Sequence, residues 1–121
     1  MDWRVDFYTD KDGNKPVKDF ILGESKTAIA EIIHVFKLLR INNVTLGMPH
    51  VRKIDKSGLR ELRIRHGSDL YRIPYFAHTG HMFILLHAIK KKGDKISEGD
   101  KNIAIKRMHD HILRHTGEKD N

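Results

Sequence analysis

Three arginines stand in two adjacent strand-like segments of the stretch LRELRIRHGSDLYRIPYF, residues 59–76. Arg63 and Arg65 alternate with Leu62 and Ile64, and Arg72 alternates with Tyr71 and Ile73. Arginine presents a planar fork of donors that matches phosphate oxygens. If the segments pair as a hairpin, Arg72 comes near Arg65. The lysine run Lys90, Lys91 and Lys92 follows the next apolar segment. Such a cluster can hold a phosphodiester and stabilise added negative charge on it. His87 lies three residues before Lys90. An imidazole there suits proton transfer near neutrality.

The charge count agrees with an anionic partner. The chain has 121 residues and a formal net charge of +7. Residues 51–92 hold ten Lys and Arg against Asp55, Glu61 and Asp69, which equals the whole excess. A neutral scaffold with a basic middle points to nucleic acid or to an acidic protein. Arg52, Lys53 and Arg60 extend the basic set and, with Lys90, Lys91 and Lys92, are expected to contact that polyanion.

Other chemistries are excluded or weak. There is no cysteine, which removes disulfides, thiolate nucleophiles and zinc–thiolate sites and fits a reducing cytoplasm. The run from His111 through His115 to HTGEK imitates the tail of a zinc finger, but the two cysteines are missing. A solvated helix end is expected there, with fraying over 115–121. No glycine-rich phosphate loop, Gly-x-Ser-x-Gly motif or carboxylate cluster for two metals is present. Metal-free chemistry with no cofactor is therefore expected. No apolar run approaches the roughly 18–20 residues that span a bilayer. The opening MDWRVDFYTD lacks an apolar signal core, so export is not expected.

The elements that must position these residues follow from periodicity. Trp3, Val5 and Phe7 alternate with Arg4, Asp6 and Tyr8, a strand pattern. Pro16 opens a short helix that Gly23 ends. Ser25 or Thr27 caps a longer helix whose inner face is expected to be Ile29, Ile32, Ile33, Phe36 and Leu39. VRKID is a candidate short strand. LRELRIR, residues 59–65, and LYRIPYFA, residues 70–77, read as a hairpin joined by HGSD, with Glu61, Arg63 and Arg65 on one face. Tyr71 and Tyr75 are expected to pack inside. MFILLHAI reads as a central strand buried on both faces. Pro74 argues for an edge strand or an amide pointing away from the ladder. Ser97 and Asp100 fit a capping box for a last helix with Ala104, Ile105, Met108 and Ile112 inward. The order gives one α+β domain over 1–121. An antiparallel sheet of about four strands carries its helices on one face, and its other face stays partly open.

The pieces ELRIR, YRI-YF, LLH and KK with a final helix containing AIKRM, over roughly residues 58–108, resemble the RelE/HigB group of bacterial and phage toxins. The resemblance implies a compact RelE-like fold and the toxin half of a type II toxin–antitoxin pair. It implies metal-independent cleavage of mRNA on the ribosome, by attack of a 2′-hydroxyl on the adjacent phosphate. The polyanion at Arg52, Lys53, Arg60, Lys90, Lys91 and Lys92 is then implied to be RNA. It also implies a cognate antitoxin, often a small helix-turn-helix protein. By position, Arg72 matches the scissile-phosphate arginine. Arg63 and Arg65 match basic strand residues that contact RNA or move protons. Lys91 and Lys92 fall near a basic position after the last strand. KKKGDKISEGD has no tyrosine where RelE carries one. The general base is therefore open among His87, Arg63 and Arg65. A non-enzymatic toxin of the same fold, such as the gyrase-poisoning ParE type, and a degenerate antitoxin-binding module are the alternatives.

Overall fold

A computed structural model describes residues 2–90, 93 and 95–115. Strand β1 (Arg4–Phe7) leads to helix α1 (Pro16–Leu22) and helix α2 (Lys26–Asn42). After a 3-10 turn at Asn43–Thr45 come β2 (Val51–Lys53), β3 (Arg60–His66), β4 (Asp69–His78), β5 (Met82–Leu85) and β6 (Ile89–Lys90). Helix α3 (Glu98–Arg114) closes the described chain. Among the described residues no helix is long and apolar enough to cross a membrane.

The local signals act as their chemistry requires. Pro16 sits in the first turn of α1, where its missing N–H is no loss, and Gly23 ends that helix. Ser25 caps α2 by accepting from the Ala28 amide at 3.2 Å. Ser97 caps α3 in the same way through Asp100, and its hydroxyl donates back to the Asp100 carboxylate at 2.7 Å.

The sheet is mixed and six-stranded, in the order β1-β5-β4-β3-β2, with β6 pairing β4 beyond β5. This corrects the expected antiparallel sheet of about four strands. Strand β1 adds parallel to β5, from Arg4 opposite Met82 to Phe7 opposite Leu85. Strand β5 is central, as its apolar composition requires, but the segment does not run straight to Lys90. Tyr75 lies opposite Leu85, and Arg72 lies opposite Ile89. Three steps on β4 thus face four on the other strand, so residues 86–88 form a bulge. The Leu86 amide donates to the Pro74 carbonyl at 2.8 Å. A residue's nitrogen and carbonyl point to the same edge of a strand, so the proline's missing donor faces this bulge. Strand β4 is therefore interior despite Pro74.

The helices take both faces of the sheet, which corrects the one-sided arrangement. On one face α1 and α2 bury Val17, Ile21, Ala28, Ile32, Val35 and Leu39 against Leu62, Ile64, Tyr71, Ile73, Tyr75, Phe83 and Leu85. Each fully buried aliphatic side chain contributes about 1.5–3 kcal/mol. On the other face Ala104 and Met108 of α3 pack on Tyr8, Leu59, Phe76, Ile84 and Leu86. Two helix faces are rotated from expectation. Val35 is buried in α2 and Ile33 is exposed; in α3 His111 is buried and Ile112 is exposed. The longer sheet decides which residues each helix can reach.

Candidate functional site

The β3–β4 register sorts the basic residues between the two faces. Arg63 lies directly opposite Arg72, and Glu61 opposite Pro74. These side chains lie on the α3 face, with Arg52 opposite Glu61 on β2. Arg60 lies opposite Tyr75, whose ring belongs to the α1/α2 core. Lys90 lies opposite Tyr71 and is on that face too. The proposed set Arg63, Arg65 and Arg72 is thus brought to one face. Arg60 and Lys90 are on the other. Lys91 and Lys92 lie outside the described residues.

A carboxylate holds the facing arginines together. Two guanidinium groups directly across a ladder repel. Glu61 Oε1 accepts from Arg63 Nη1 at 3.1 Å and from Arg72 Nη1 at 3.0 Å. Glu61 and Arg72 are each only 2 % exposed, so Arg72 is not the outward arginine that alternation suggests. Its Nη2 donates to the Gly93 carbonyl. Glu61 Oε2 is buried and has no hydrogen-bond partner among the described residues. Arg63 keeps 15 % of its side chain exposed, and Arg65 is exposed. Beside this cluster is a pocket of about 250 Å³ lined by Glu61, Arg52, Lys53, Lys95, Lys101 and Glu98. Lys101 pairs with Asp55 at 3.3 Å. Hydrogen bonds from Ser57, and then Lys101, hold the Asp55 carboxyl below its usual range.

The bulge brings His87 to α3. His87 Nε2 is 2.9 Å from Asp100 Oδ1, and Arg107 Nη1 is 3.3 Å from His87 Nδ1. A guanidinium only donates, so Nδ1 is the acceptor and Nε2 carries the hydrogen. Arg107 also donates to the Leu86 carbonyl at 2.9 Å. Helix α3 is fixed from its far end by Tyr8, whose hydroxyl donates to Asp110 at 2.6 Å. Burial, then that carboxylate, raises the Tyr8 phenol. His87 is therefore half-enclosed and bonded at both ring nitrogens.

Lys90 has a separate partner set. Its ammonium is 2.8 Å from Glu24, which also accepts from the Tyr71 hydroxyl at 2.7 Å. Lys90, and next Tyr71, hold the Glu24 carboxyl low. Burial, then Glu24, pushes the Tyr71 phenol up to about 12.

Two features escaped the sequence reading. Glu61 was one acid on an arginine face; only the pairing of Arg63 with Arg72 reveals why a carboxylate belongs between them. The helix end carrying His111 was expected to be solvated. Instead His111 is 7 % exposed, stacked on His115 at 4.0 Å between ring centroids and edge-on to His78 at 4.8 Å. Burial, then His115 and His78, lowers it to about 4. The i, i+4, i+7 series Ala104, Met108, His111 was the available signal. Among the described residues no group of three His, Asp or Glu is arranged to hold a metal ion.

No curated protein matches the chain. The family described as phage derived protein Gp49-like (DUF891) matches residues 19–109, three quarters of the sequence. That span contains α2, the whole β2–β6 region and most of α3. The chain belongs to the Gp49-like phage-derived family, a toxin-like family related to the RelE/HigB type toxins.

Proposed function

We propose that the protein is the toxin of a type II toxin–antitoxin pair and cuts mRNA on the ribosome without a metal. The observation that supports this most is the Arg63–Glu61–Arg72 cluster beside a lysine- and arginine-rimmed pocket. In this reading Arg63 and Arg65 contact the RNA backbone from the exposed side. Arg72 engages the scissile phosphate when that phosphate takes the place of the Gly93 carbonyl. A ribose 2′-hydroxyl attacks the adjacent phosphorus, and the 5′-oxygen leaves. The products are a 2′,3′-cyclic phosphate and a 5′-hydroxyl end. His87 moves a proton once its contact with Asp100 or Arg107 opens. Positioning by the ribosome supplies much of the rate, since orientation alone is worth several kcal/mol. The antitoxin, a helix-turn-helix protein, neutralises the toxin in the cytoplasm.

Expression in cells followed by mapping of mRNA 5′ ends tests this. New cleavage within translated frames, abolished by Arg63→Ala with Arg65→Ala in a folded protein, is expected. Growth arrest without new ends would overturn the nuclease reading.

The engagement of both His87 nitrogens favours a second reading, a non-enzymatic toxin of the ParE type or a degenerate antitoxin-binding module. DNA-damage signalling without mRNA cleavage selects the first of these. Absence of toxicity selects the second.

A further inference from the structure

Strand β2 covers β3 only from Arg60 to Leu62. One further bond runs from the Arg63 amide to the His50 carbonyl. Backbone parity then points the Arg65 amide and carbonyl out at the same edge, where no strand lies among the described residues. Beside this open edge is a recess of about 350 Å³. Val35, Ile64 and Leu70, all buried, contribute apolar surface, and Met48 stands on the rim at 67 % exposure. Arg63, Arg65 and His50 line the recess against a single acid, Glu31. Arg65 has no ion-pair partner among the described residues.

We propose that this recess docks an acidic peptide segment of a partner protein, extended along the β3 edge, with one bulky apolar side chain inserted beside Met48. An open strand edge gives an extended peptide main-chain hydrogen bonds. The apolar recess selects the anchor, as a buried side chain does at interface centres. The arginines and His50 select carboxylates on either side of it. RNA fits this place less well. The lining offers no Phe, Tyr or Trp ring for a base to stack on, and its buried surface is aliphatic. The inference does not rest on the nuclease reading. Its occupant would cover Arg63 and Arg65 and so exclude phosphate from them.

Fluorescence anisotropy of the full chain tests it with three labelled probes. The first is a peptide of about six residues, a usual strand length, with Glu and Asp around a central Leu. The second is the same peptide with Ser at the centre, and the third is a uridine oligomer of equal length. The Leu peptide is expected to bind roughly tenfold or more tighter than the Ser peptide. Met48→Glu is expected to abolish that difference, and Glu31→Lys to tighten both peptides. The gain in Glu31→Lys separates the effect from misfolding. Equal binding of the two peptides overturns the proposal. So does binding of neither, or a Leu preference untouched by Met48→Glu. A uridine oligomer that binds and loses affinity with the uncharged Met48→Ser overturns it in favour of RNA.

Discussion

The two faces of the sheet solve similar problems differently. The α1/α2 face is a dry apolar core whose main polar group, Glu24, bridges Lys90 and Tyr71 at the rim. The α3 face has fewer apolar residues and takes its polar groups inside: Glu61 with Arg63 and Arg72, and His111 between His78 and His115. In each case one carboxylate joins donors from neighbouring segments. The difference is water. At the rim a lost contact is replaced by solvent. Inside, it leaves an uncompensated charge. The face carrying the arginines is therefore the one whose chemistry and stability are tied together.

The strongest way to break this contrast is Glu61→Ala. It removes the buried carboxylate that Arg63 and Arg72 share and restores repulsion across that pair. A loss of about 3–5 kcal/mol is expected from urea unfolding. A loss comparable to that of a rim substitution would show that solvent already reaches Arg72.

Acid should act next, first through His111 on the α3 face and only at lower pH through Glu24 at the other face's rim. His111 is held at about 4 in the folded chain, below its ordinary 6.5. The unfolded chain thus takes up the proton first as pH falls. The contribution is fully present above about 6.5. It declines through the window down to about 4, by about 3 kcal/mol at most. His111→Leu should flatten that part of the stability–pH curve, measured by thermal unfolding at stepped pH. An unchanged slope would place the acid sensitivity elsewhere.

Rim substitutions sharpen the comparison from the other side. Tyr71→Phe removes one hydrogen bond to Glu24 and should lower stability by about 1 kcal/mol. Lys90→Ala removes a pair whose lysine is exposed and whose carboxylate is mostly covered. It should lower the denaturant midpoint by less than Tyr71→Phe does, and by less still as salt is raised.

Alternation made much of this legible before the structure. It placed Leu62 and Ile64 opposite Arg63 and Arg65, and Ser25 and Ser97 marked their helix starts. It could not say which face another element would cover. Arg72 looks outward by parity and is buried because α3 and Gly93 return over it, a choice made by residues about twenty or more positions away. The parallel docking of β1 onto β5 is non-local in the same sense. His111 was hidden by its type, since a polar residue in an apolar series reads as a gap. The basic residues of the candidate site were all visible in the sequence. Their division between two faces was not.

That division depends on the bulge at residues 86–88. Continuing the Tyr75–Leu85 pairing without the extra residue would place Lys90 opposite Leu70, on the arginine face. The added residue shifts the phase of everything after it by one. It sends Lys90 toward Glu24 and spares the arginine face another cation. In evolutionary terms, a single-codon deletion here would redistribute charge between the faces without altering any charged residue.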